Sequence, residues 1–118
     1  MTTVEEHIRA FAAQPFVRAK TDCTGMCDRW VWINRGVSPV ELGGIVYHDD
    51  ESAMAIVSRI APLMNRGMRR AGLKVTANPK KGDVGLVIFN GQMGPAIHAG
   101  THWITRHVDG FLAARSGS

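Results

Sequence analysis

One stretch near the N-terminus constrains the fold more than any other. Residues 21–34 read TDCTGMCDRWVWIN, and Cys23, Met26, Cys27, Trp30, Val31 and Asn34 fall at i, i+3, i+4, i+7, i+8 and i+11. All but the last are apolar, so the spacing predicts a helix with one nearly unbroken apolar face. Such a face has to be covered by the rest of the chain. Thr21 or Asp22 can cap the helix, because a short side-chain oxygen there accepts from free first-turn N–H groups. Cys23 then lies in the first turn, where the helix dipole favours negative charge and the thiolate becomes accessible. Nucleophilic cysteines are made in this way. Cys27, one turn deeper, reads as core.

The rest of the chain supplies the cover. Residues 3–13 predict a short helix with Val4, Ile8 and Phe11 on one side and Glu5, Glu6 and Arg9 on the other, capped by Thr2 or Thr3 and ended by Pro15. The cysteine helix should stop at Gly36, a suitable C′ residue. Residues 37–47 read as a loop or a single turn. A third helix begins near Asp50 and Glu51, with Ser52 among its caps, and Ala53, Ile56, Val57 and Ile60 keep helical spacing until Pro62 breaks it. Pro62 suits the first turn of a following helix, Leu63 to Ala71, closed by Gly72.

From Lys81 the period changes. Val84 to Phe89 is a nearly continuous apolar strand, and Asn90-Gly91 is a turn. Residues 95–100 and 102–107 read as further short strands. Asp109-Gly110 turns the chain into FLAA, a fourth strand, and the tail RSGS reads as frayed. Helices come first and strands joined by short turns come last. That is an α+β arrangement with a small antiparallel sheet, in a single domain over residues 1–118.

Composition narrows the function classes. The balance of 45% apolar and 20% charged residues is that of a globular chain. No apolar run is long enough to span a bilayer. The N-terminus carries Glu5 and Glu6 without a continuous apolar block, so no secretion signal is read there. A net charge of +4 is mild, and no aromatic residues interleave with the basic ones, so nucleic-acid binding is not expected. Two cysteines four apart make neither a disulfide framework nor a CxxC pair. Zinc would need two further ligands. No metal or other cofactor is expected.

DCTG at Asp22–Gly25, GDVGLVIF at Gly82–Phe89 and GPAIHAG at Gly94–Gly100, in that order, resemble the motifs of the NlpC-type cysteine peptidases. The ending GTHWITRHVDGF resembles a small branch of that superfamily that occurs among phage and prophage tail genes. The resemblance covers residues from about Phe11 to Phe111. It implies a papain-like fold in which Cys23 is the nucleophile, a strand histidine is the base, and a polar residue on the next strand orients it. His98 follows Cys23 in the required order and is the candidate base. His107 and His102 are candidates for the orienting group. In the family's pattern, however, the histidine opens its strand. Counting back from Gly100 puts that position at Gly94, with His98 displaced by about 13 Å along the strand.

Two readings follow. Glycine at the histidine position favours a tail-tip or baseplate-associated protein that keeps the fold without the catalysis. Its partners would be other tail proteins, and its place the virion, or the bacterial cytoplasm during assembly. The intact DC motif favours an active hydrolase that cleaves peptidoglycan stem peptides. Trp30 should be inside. Trp32 points off the apolar face, so its exposure would mark a partner surface.

Overall fold

A computed structural model describes residues 2–115 of the chain. Four helices come first: α1 (Val4–Ala12), α2 (Cys23–Arg35), α3 (Pro39–Gly43) and α4 (Asp50–Arg70). Four strands follow: β1 (Val84–Phe89), β2 (Gln92–His98), β3 (His102–His107) and β4 (Gly110–Arg115). They form one antiparallel sheet in the order β1-β2-β3-β4. The α+β arrangement is as the change of period indicated. No helix among the described residues is long and apolar enough to cross a membrane.

Local chemistry explains where the helices start and stop. Thr3 caps α1 in a capping box with Glu6. Asp22 caps α2 by accepting from Gly25 N–H, and Gly36 ends that helix in the left-handed conformation. Asp49 caps α4, and Ser52, expected among the caps, is the third residue that answers it. The stretch expected to be a loop or single turn holds α3, with Ser38 as its cap and Pro39 in the first turn.

Pro62 does not break the third helical region: α4 runs through it to Arg70. Tertiary contacts override the local preference. Arg66 and Arg70 donate to the carbonyls of Gly43 and Leu42, and Met64 and Met68 are buried. α3 lies so close to α4 that a Cβ at Gly67 would stand 1.8 Å from the Pro39 carbonyl oxygen. Only glycine allows that approach.

The second strand begins at Gln92, earlier than the expected residue 95, because Asn90-Gly91 makes a tight two-residue hairpin that pairs Phe89 with Gln92. It ends at His98 rather than Gly100. The fourth strand includes Arg115, expected in the frayed tail; Ser116 to Ser118 lie outside the described residues.

The core joins the predicted apolar face of α2 to everything else. Met26, Cys27 and Trp30 pack with Val4 and Phe11 of α1, with Ile45, Tyr47, Ala53, Met64 and Met68, and with Ile97 of β2. Burying each large apolar side chain contributes roughly 1.5–3 kcal/mol. Two polar clamps hold α1 in place. The buried His7 ring donates from Nε2 to the Met26 carbonyl at 2.9 Å and lies against Phe11 and Trp30. The buried Arg106 guanidinium, on β3, donates to the carbonyls of Phe11 and Gln14 and faces the ring of Phe111.

Candidate functional site around Cys23

The segment before α2 is fixed by its own polar groups. The Thr21 hydroxyl donates to the Pro15 carbonyl at 2.6 Å and accepts from Val17 N–H at 2.7 Å. Asp22 is 1% exposed, yet its carboxylate is fully engaged. It accepts from Gly25 N–H at 2.8 Å, from Ala19 N–H at 3.0 Å and from the Tyr47 hydroxyl. A buried carboxylate is tolerable only with such partners. Burial, then the adjacent Asp22 charge, holds the Tyr47 phenol far above its ordinary value. Gly25 has to be glycine here, because a Cβ would stand 2.3 Å from the Lys20 carbonyl oxygen.

Cys23 is thus the first residue of α2, partly buried, with its sulfur directed at the sheet. A Cβ built on Gly94 of β2 would lie 4.0 Å from Sγ, and no other atom is as near that position. Gly94 pairs with Val87 of β1. The groups around the sulfur are hydroxyls: Thr24 Oγ1 at 3.9 Å, and Thr105 of β3. The Thr105 hydroxyl also donates to the Pro95 carbonyl at 2.9 Å. That bond serves β2 where proline has no N–H to offer β3.

The helix start alone suggested a lowered thiol pKa. The opposite holds. Burial, and then the neighbouring Asp22 charge, raises the Cys23 thiol, and the two hydroxyls offset this only in part. Cys27 is completely enclosed in the core, and burial pushes its thiol well up.

The histidines make their own contacts. His98 is 1% exposed at the end of β2. Its Nδ1 accepts from Gly100 N–H at 3.2 Å, its Nε2 has no hydrogen-bond partner, and its ring meets Trp103 in a T-shaped contact at 4.9 Å. The His98 main chain bonds to Gly82 and Asp83, so the residue fastens the turn that enters β1. His107 ends β3 in the hairpin turn, where Nδ1 accepts from Asp109 N–H at 3.3 Å. His102 is exposed beside the Thr101 hydroxyl. No hydrogen bond among the described residues joins Cys23, His98 and His107 to one another.

Sequence reasoning missed Thr105 and Tyr47. Thr105 had a signal, since it is on the strand after the Gly94 strand, where the resemblance seeks an orienting group. Tyr47 had none. No group of three or more His, Cys, Asp or Glu side chains that could hold a metal ion occurs among the described residues. Trp30 is inside as expected, and Trp32 is 47% exposed with Arg29 stacked on it at 4.2 Å. Comparison with protein-family models, curated proteins and solved structures finds no match to this chain.

Proposed function

We propose that this chain is a peptidase-like domain of the NlpC type in which the nucleophile position survives and the histidine position is lost, and that it serves as a tail-tip or baseplate-associated structural protein of a phage or prophage. The observation that carries the loss of catalysis is Gly94. On the resemblance, counting back from Gly100 puts the family's histidine at this residue, and its Cβ site lies 4.0 Å from the Cys23 sulfur. The raised thiol, and the absence among the described residues of a hydrogen bond from an imidazole to Cys23, support the same conclusion. A cysteine nucleophile needs a base within hydrogen-bond reach. The tail setting rests on the resemblance in motif order and in the chain's ending.

Reconstruction tests this reading. Purified peptidoglycan sacculi are incubated with the native protein, with Cys23→Ser and with Gly94→His. The native protein should release no more peptide than Cys23→Ser. A Cβ at Gly94 meets the Cys23 sulfur at ordinary van der Waals distance, so a side chain can start there without a backbone clash. Gly94→His should give Cys23 a faster alkylation rate at neutral pH. Peptide release by the native protein that Cys23→Ser abolishes would instead establish the active hydrolase. Mass spectrometry of purified particles from the encoding phage or prophage checks the location: the chain should be present at fixed stoichiometry, and its absence would remove the tail assignment.

A further inference from the structure

We propose that the outer edge of β1, with the basic groove beside it, is a docking site for an extended acidic segment of a partner protein. The segment would add to the sheet as a further strand.

The hydrogen-bond pattern makes the edge available. Lys80 to Asp83 form a turn closed by Asp83 N–H to the Lys80 carbonyl at 2.9 Å, with Gly82 at φ 95°. Gly82 N–H then donates to the His98 carbonyl, and His98 N–H to the Asp83 carbonyl, each at 2.8 Å. This is a bulge in which Asp83 is the hydrogen-bonded partner of His98. Antiparallel pairing alternates from there along the register. Gly85, Val87 and Phe89 bond to β2, while Val84, Leu86 and Ile88 turn their N–H and C=O groups away from it. Apart from the ladder with β2, no hydrogen bond among the described residues involves the main chain of those three. β1 is the first strand of the sheet, so no strand covers that side.

Proteins usually protect such an edge with charge, proline or a covering element. VGLVIF has neither charge nor proline, and Ile88 is 61% exposed. Next to it an open groove of about 1020 Å³ is lined by β1, the ends of α2 and α4 and the segment that leads into β1, and extends across the sheet to Trp103 and Ala114. The turn that starts β1 is anchored to the groove wall by Trp30 Nε1, which donates to the Gly82 carbonyl at 2.8 Å. The edge is therefore held in place and needs no ordering on binding.

Charge selects the occupant. Arg35, Arg69 and Lys74 line the groove near this edge, against one lining carboxylate, Asp83, while Lys81 is paired with Glu5. Arg35, Arg69 and Lys74 are exposed and have no ion pair among the described residues. A second copy paired through β1 would bring two sets of these cations together. An acidic strand is complementary instead: its main chain meets the edge, and its alternate side chains reach the groove.

A synthetic peptide alternating valine and glutamate, with blocked ends, tests the proposal by titration against the isotope-labelled full chain. The amides of Val84, Leu86 and Ile88 should shift, and a peptide with lysine in place of glutamate should not bind. Ile88→Pro deletes one outward N–H while sparing the bonds to β2, and should weaken binding about tenfold. Arg69→Glu with Lys74→Glu changes only exposed side chains, so it tests the charge even if the proline variant folds poorly. It should weaken binding by more than tenfold, and added salt should weaken native binding. Several results would overturn the proposal: no shift along β1, equal binding of the lysine peptide, or undiminished binding by the charge-reversed variant. Binding of oligothymidylate at the groove in place of the peptide, or native dimerisation through β1, would overturn it as well.

Discussion

The start of α2 and the outer edge of β1 present opposite faces of the same sequence logic. The first has the motif and is chemically closed. Asp22 has three donors, Thr21 spans two main-chain groups, and the Cys23 sulfur faces a glycine. The second has no motif and is chemically open, with outward main-chain groups and with Arg35, Arg69 and Lys74 in no ion pair among the described residues. A motif records which residues a fold needs at a position. Polar groups left without partners record where another molecule can bind. In this chain the two records point to different places.

Substitutions of similar size should therefore have unequal costs in the two regions. Asp22→Ala removes a helix cap and strands the Tyr47 hydroxyl and the Ala19 N–H. It should lower unfolding free energy by about 3 kcal/mol or more in denaturant titration. A loss under about 1 kcal/mol would mean that the carboxylate is not the hub its three bonds imply. Arg106→Met leaves the carbonyls of Phe11 and Gln14 without their donor, and should cost about 2 kcal/mol. Equal stability would break the claim that polar clamps hold α1.

A pH series sharpens the same contrast. Burial, with help from the nearby Arg29 charge, holds His7 below its ordinary value of 6.5, against the opposing bond to Met26. A group depressed in this way binds its proton more readily in the unfolded chain. The stability it contributes is present above about pH 6.5 and is lost as pH falls toward its folded value. The native chain should lose thermal stability over that window, and His7→Gln should lose less. An identical decline in both would place the titration elsewhere. At the edge, Ile88→Thr should change stability by no more than about 0.5 kcal/mol, because that side chain is mostly in water. A large loss there would show that the edge is structural.

Much of the fold was legible because its signals are local. The apolar spacing of α2, the caps at Thr3 and Asp22, and the change of period after Lys81 each depend on a few neighbouring residues. What was not legible depends on distant contacts. Pro62 looked like a break, but α4 continues through it because α3 fastens the far half, with Gly67 against Pro39. His7 and Arg106 carry no local signal of burial, and only the approach of α1 to α2 and β3 buries them. At the candidate site, the helix-start position of Cys23 was readable and its thiol chemistry was not. The dipole argument favours the thiolate, but burial and Asp22 outweigh it. The assignment of Gly94 to the family's histidine position rests on the resemblance alone.

The most direct test of the central claim is the pH dependence of Cys23 alkylation in the native chain. Iodoacetamide labelling is followed by mass spectrometry, so that Cys23 and Cys27 are counted separately. Without an imidazole hydrogen-bonded to it among the described residues, and with burial and Asp22 acting against the thiolate, Cys23 should label slowly at neutral pH. Its rate should still be rising above the ordinary thiol value of about 8.5. A rate that reaches its plateau at or below neutral pH would mean an ion-paired thiolate, and would contradict the account.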